Sequence, residues 1–393
     1  MKFESFPNKI SLSSPTMYGD EIKYIDSLFH PNEQSNIIEI EKMISEITGR
    51  KYAIPVSNGT SALHLAVKLS GVKQNDVVLC STMTFVASAN PILYEKAKPV
   101  FVDVEYDTWN MSPKALEKAL EKYPKAKAII VTDLYGTSAN YSEIQRIAKN
   151  YGVTIIQDAA ESFGTKYKEK PSTVYGDISA ISFNCNKIIT GTSGGMLLTD
   201  NEEISSKARK LSNQAKELSP WYQHEEIGYN YRMSEVVAGV IRAQLPHLEK
   251  HISRKKEIYD RYNEGLKSLP ITMNPFNENE CSPNFWLSCM LIDKSSMCEQ
   301  KRDDKTSFYT SEKGKSCPDE ILNTLKKYNV EGRPIWKPMH MQPLYKNSEL
   351  FTAEEGVDIS ADIFERGLCL PSDIKMTRKE QDVIIEMVKS CFD

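Results

Sequence analysis

The sequence predicts an α/β protein in which a mostly parallel sheet is flanked by helices and followed by a smaller C-terminal domain. Three observations carry this. Short, β-branched apolar runs recur at 77–80, 100–104, 128–132, 153–156 and 178–183 and alternate with helix-like segments such as 113–121 and 143–150, and such alternation favours parallel pairing. From Ser234 to about Leu269 the pattern turns helical, broken at Pro246, and is long enough to bridge into a second domain. The chain has 393 residues, 40% of them hydrophobic and 26% charged, which suits two domains with an ample core. The expected division is 1–269 and 270–393, with the polar stretch 293–318 running over the surface of the second part.

In chain order, the segment PVSNGTSALHLAV (55–67) places a glycine turn ahead of a helix with apolar residues at Leu63, Ala66 and Val67. Gly59, Thr60 and Ser61 fall in the turn and first helical turn, where free N–H groups and the helix dipole favour an anion. An ordinary cap by Asn58 or Thr60 explains the same residues. After the run 77–80, the loop 81–85 offers Phe85 as a lid for a planar ring, although a single Phe is more often core. The run 153–156 delivers Asp158 at its C-terminal end, and 178–183 precedes Lys187 in the same way. A Gly/Thr/Ser turn at 191–195 then leads into 196–198, so Lys187 sits on a tight loop.

One acid and one lysine on successive apolar runs, in QDAAES and SFNCNK, are what a pyridoxal phosphate enzyme needs. The lysine amine condenses with the cofactor aldehyde, and a carboxylate keeps the pyridine nitrogen protonated. Opposite charges 4 Å apart interact by ~4 kcal/mol at an effective dielectric near 20, or roughly three pKa units. Singly, Asp158 reads as a strand-end acid capping a helix and Lys187 as a solvated loop lysine; the linked set favours the cofactor.

The motifs SNGTSALHLA, TFVASANP, DAAES, SFNCNKIIT, IGYNYRMS, RPIWKPMH and GLCLPS, in this order, closely resemble the DegT/StrS-type nucleotide-sugar aminotransferases, nearest to the exopolysaccharide and bacillosamine-type 4-aminotransferases. The resemblance implies the fold type I architecture, with a mixed seven-stranded sheet in the large domain and an α+β small domain. It implies that Lys187 is the Schiff-base lysine, Asp158 the pyridinium partner, Glu161 a contact to the ring hydroxyl and Phe85 the stacking ring, with Gly59, Thr60, Ser61 and Ser182 around the phosphate. Asn230 of GYNYRM would reach the phosphate of a neighbouring subunit, making a homodimer with shared active sites, and Lys337 and His340 would touch the nucleotide sugar. The implied reaction is transamination of a UDP-linked 4-keto-6-deoxy-N-acetylhexosamine with L-glutamate, freed Lys187 moving the proton. A 3-keto substrate, a sugar dehydratase and a non-catalytic regulator are the alternatives; dehydratase relatives replace the lysine by histidine, and Lys187 is present here.

Departures from the family pattern are Cys185 where glycine is common, Asp133 in DLYG where histidine is frequent, and Gln157 before Asp158 where glutamate is usual. The stretch 30–40 lacks the usual tryptophan- or glycine-containing loop at the substrate mouth.

The remaining features narrow the class. A net charge of −4 without a basic stripe argues against nucleic-acid binding. Eight cysteines without a CxxC pair, no secretory leader and no apolar run near 18 residues point to a reduced, cytoplasmic, membrane-free protein. His247 and His251 share a helix face in HLEKH, but without a third ligand they read as a solvated face, and no metal is expected.

Overall fold

Eight strands form the central sheet of the computed structural model, which describes residues 3–30, 35–303 and 305–393. Their order is Tyr52–Val56, Gly195–Thr199, Ile178–Ser182, Thr154–Asp158, Ala128–Thr132, Val77–Ser81, Lys98–Val102 and Leu350–Phe351. Gly195–Thr199 is antiparallel to both of its neighbours, and every other pairing is parallel. Seven strands are those implied by the resemblance. The eighth is a correction: Leu350–Phe351, from far along the chain, pairs with Lys98–Val102 and covers what would be an open edge.

Alternation along the strands sends side chains to two cores. Val78, Cys80, Ile130 and Ile156 pack with Leu63, Ala66 and Val67 of the helix Gly59–Leu69. Leu79, Ile129, Val131 and Ile155 face the other way, onto Leu116 and Leu120 of Pro113–Lys122 and Ile144 and Ile147 of Tyr141–Tyr151. Each such buried Leu or Ile contributes about 1.5–3 kcal/mol relative to exposure. Helix starts follow local chemistry: the Ser112 hydroxyl accepts the Ala115 N–H, and Pro113 stands at the first helical position. The strand Tyr52–Val56 was not evident in the sequence because it holds Pro55, which is tolerated at this edge position of the sheet.

The bridging segment comprises Glu235–Gln244, a turn at Leu245–His247 containing Pro246, and Leu248–Gly265. Beyond it lies a four-stranded antiparallel sheet of Ile271–Met273, Ser288–Ile292, Gly367–Leu370 and Arg333–Pro334. Helices Pro318–Lys327 and Arg378–Lys389 bury Ile321, Leu325, Ile384 and Val388 with Ile258 and Tyr262 of the bridging helix. The polar stretch runs over the surface as a hairpin, Glu299–Arg302 with Ser307–Thr310. Besides Leu350–Phe351, a second segment crosses position 269: Phe3, Phe6 and Ile10 pack into the C-terminal core, Ile10 bridging Val330.

Candidate active site

The C-terminal ends of the parallel strands converge on a cavity of about 310 Å³. Asp158 and Ser182 are the last residues of their strands, Lys187 lies on the loop to the antiparallel strand, and Gly59 and Thr60 open a helix; all line this cavity with Phe85 and Glu161. A second cavity of about 680 Å³ shares Phe85, Asn186 and Trp336 with the first and is lined by Lys337.

Three expected residues are not brought to the cavity wall. Ser61 is turned inward, because the capping Asn58 Oδ1 accepts both its N–H at 2.8 Å and its hydroxyl at 3.1 Å. His340 uses both ring nitrogens internally, Nδ1 with Thr82 Oγ1 at 2.7 Å and Nε2 with Asp358 at 3.0 Å, so it pins two segments together. Asn230 is exposed and does not line the cavity; it stands in a bridge to Asn213.

Asp158 is buried, and its Oδ2 accepts a 2.5 Å hydrogen bond from Ser88 while Oδ1 accepts the Ala160 N–H at 3.1 Å. Behind Ser88, Thr84 stands at 2.6 Å and Thr132 donates to Thr84 at 2.9 Å. Burial raises the Asp158 pKa, and these bonds and Lys187 only partly offset it. The arrangement is an anion holder that a cation in the cavity would complete.

Lys187 and Glu161 form a loose pair, Nζ to Oε1 3.8 Å. Burial pushes the Glu161 carboxyl up to about 7 and the Lys187 amine down, each partly opposed by the other. Glu161 Oε2 is fixed by the Tyr135 N–H at 2.7 Å. Close backbone approach shapes the far end: a Cβ on Gly59 would stand 2.9 Å from Ser182 Cβ, and one on Gly195 would stand 2.4 Å from the Asn58 carbonyl carbon. With the helix N-terminus at that end, the cavity suits a planar ring carrying an anionic group at one end, a cationic ring nitrogen and an amine-reactive carbon. Pyridoxal phosphate has these features.

Sequence reasoning missed Ser88, Trp286 and Trp336. Ser88 left a signal, standing four residues after Thr84 in TFVAS at helical spacing, and Trp336 stands beside Lys337 in RPIWKPMH, whereas Trp286 left none. The two departures at 133 and 157 meet in space: the Gln157 amide donates to Asp133 Oδ2 at 2.8 Å, and Asp133 also accepts from Tyr141, Ser162 and the Ala139 N–H. Of this buried network, Gln157 precedes Asp158 in the same strand, so the two side chains point to opposite faces of the sheet. The solvated-face reading of the histidine pair is corrected. His251 is buried, with Nδ1 on the Ile188 carbonyl and Nε2 on the Tyr18 hydroxyl, both at 2.7 Å, while His247 stacks on Tyr18. Of the stretch 30–40, residues 31–34 lie outside the described residues. Among the described residues no cluster of three or more His, Cys, Asp or Glu is placed to hold a metal ion, and no helix is long and apolar enough to cross a membrane.

The model of the DegT/DnrJ/EryC1/StrS aminotransferase family matches residues 31–389. EpsN of Bacillus subtilis (strain 168), provisionally named a pyridoxal phosphate-dependent aminotransferase, is 42% identical over 98% of this chain and 96% of its own length. The GDP-perosamine synthase of Escherichia coli O157:H7 is 32% identical over 98% of both chains. Among solved structures, a DegT DnrJ EryC1 StrS aminotransferase from Brucella abortus superposes with a TM-score of 0.81 at 26% identity, covering 94% of each chain. The chain therefore belongs to the DegT/DnrJ/EryC1/StrS aminotransferase family and is a pyridoxal phosphate-dependent sugar aminotransferase.

Proposed function

We propose that the enzyme converts the ketone of a UDP-linked 4-keto-6-deoxy-N-acetylhexosamine to an amine, with nitrogen from L-glutamate, in the cytoplasmic synthesis of a surface glycan. The observation that carries this reading is that Lys187 and Asp158 line one cavity, and that a larger cavity of about 680 Å³ adjoins it, sharing Phe85, Asn186 and Trp336. Bound pyridoxal phosphate supplies a carbonyl that accepts nitrogen and a cationic ring that stabilises charge at the carbon losing its proton.

In this reading the chain's own residues divide the work. Asp158, whose carboxylate accepts hydrogen bonds from Ser88 and the Ala160 N–H, would hold the proton on the ring nitrogen. Glu161 would orient the ring hydroxyl, Phe85 would cover the ring face, and Gly59, Thr60 and Ser182 at the helix N-terminus would receive the phosphate. Lys187 Nζ would attach the cofactor and, once the donor amine has displaced it, the freed amine would take the proton from the donor α-carbon and return it as general acid. Lys337, in the larger cavity, meets the nucleotide sugar. The proposed division is a cofactor domain over 1–269 and a small domain over 270–393, supported by the separate four-stranded sheet after the bridging helix, with residues 3–10 and Leu350–Phe351 crossing between the two.

The relative named for GDP-perosamine supports a second nucleotide, GDP. Incubating the enzyme and glutamate with UDP- or GDP-linked 4-keto sugars and with a UDP-linked 3-keto sugar, then identifying the product by mass and NMR, decides between them. The UDP-linked 4-amino sugar is expected; amination at another carbon or of the GDP sugar alone overturns the assignment.

The proposed enzyme is a homodimer with shared sites. Asn230 is exposed and does not line its own cavity, and Leu218, Trp221, Tyr222 and Ile227 in the same segment are exposed apolar residues, a surface that a second copy would cover. Mixing inactive Lys187→Ala chains with inactive Asn230→Asp chains is expected to restore activity, since each hybrid dimer holds one site with both residues intact. No recovery after confirmed subunit exchange would sink the shared-site reading.

A further inference from the structure

Trp286 lies directly against the Lys187 amine, with Nζ 4.0 Å from the centroid of the indole ring. The ring is almost wholly buried and is held from several sides. Its Nε1–H donates to the carbonyl of Asn186, the residue before Lys187, at 2.8 Å. Its backbone N–H donates to Asn284 Oδ1 at 2.9 Å, and its carbonyl accepts the buried Lys255 ammonium at 2.8 Å. Tyr135 stacks beside it, with centroids 6.4 Å apart. Indole and lysine loop are therefore tied into one unit. Simple packing would fill this volume with apolar atoms, but it requires neither the π-face at the amine nor the N–H bond to the lysine loop.

We propose that Trp286 is a positioning residue for Lys187, its indole face receiving the amine as an ammonium whenever that amine is not joined to the cofactor. The proposal rests on Lys187 being the cofactor-attaching lysine. The free amine needs such a seat because its other close neighbour, Glu161, stands 3.8 Å away, beyond a good hydrogen bond. Glu161 and Asp158 favour the ammonium from the strand side, while Lys255 and His251, which line a small cavity with Lys187 on its other side, bring no negative charge. Burial disfavours the ammonium and is the largest influence. A π-face adds to the two carboxylates against it.

Losing that face should therefore leave Lys187 neutral, and reactive, at lower pH. The test uses the full-length protein freed of cofactor. Pyridoxal phosphate is added across a pH series, the rate of attachment is followed by absorbance, and borohydride reduction with peptide mapping locates the label. In the wild type the label is expected on Lys187; on another lysine, it defeats the cofactor reading and this proposal with it. With the label on Lys187, Trp286→Leu is expected to lower the pH midpoint of attachment by about one unit. Trp286→Phe, with a weaker π-face and no N–H, should fall between Leu and wild type. Midpoints unmoved or raised in both variants overturn the proposal. If the Leu variant does not fold, the Phe variant decides alone: a lowered midpoint supports it, and an unmoved or raised one overturns it.

Discussion

Lys187→Ala is expected to abolish the borohydride-reducible attachment of pyridoxal phosphate and to lower turnover by several orders of magnitude, while the protein stays folded. The expected loss is large because, in the proposed reading, one amine serves as attachment point and as proton carrier, and among the described residues no second amine occupies its place: Lys255 is held by the Trp286 and Ser372 carbonyls at 2.8 and 2.9 Å. The fold should tolerate the change, since Lys187 pairs only loosely with Glu161 and its loop is held by backbone bonds such as Gly191 N–H to the Phe183 carbonyl at 2.9 Å. Peptide mapping after reduction and circular dichroism measure the two halves of the expectation. A reduced label retained in the variant would move the attachment point to another lysine.

Asp158→Asn is expected to raise the proton-transfer barrier by about 3 kcal/mol, roughly a hundredfold in the single-turnover rate. The amide is close in shape but neutral, so the cationic ring nitrogen loses its charged partner in a buried site where Coulomb energies are large. It also offers one acceptor where the carboxylate offers two, and both carboxylate oxygens are in use, by Ser88 and by the Ala160 N–H. The Thr132–Thr84–Ser88 chain behind it would have to reorient to satisfy an amide. Stopped-flow absorbance with glutamate in excess measures the rate. Near-normal turnover in a correctly folded variant would mean that another acid protonates the ring.

Much of the site was legible because its parts lie at the ends of regular elements. Asp158 and Ser182 close strands whose apolar runs are plain in the sequence, and Gly59 opens a helix whose spacing is equally plain. The orientation of Ser61 was not legible, since a first-turn serine can face a ligand or its own cap, and the Asn58 side chain decided for the cap. His340 was read as a substrate contact from the family resemblance of RPIWKPMH, whereas Thr82, far away in sequence, and Asp358 claim both its nitrogens. His251 was read as solvated because HLEKH shows no third metal ligand, but the N-terminal segment brings Tyr18 over it.

By itself, the sequence determined the alternation of strands and helices, the bridging segment around Pro246, and the pairing of one acid with one lysine at successive strand ends. These are consequences of local sterics and side-chain periodicity, which act between near neighbours in the chain. Tertiary structure alone decided the eighth strand, the matching of Asp133 with Gln157 and the indole against Lys187. Each of these joins residues whose separation along the chain carries no periodic signal. They meet because the order of strands in the sheet, and the return of the C-terminal part over its edge, bring their side chains within a few ångströms of one another.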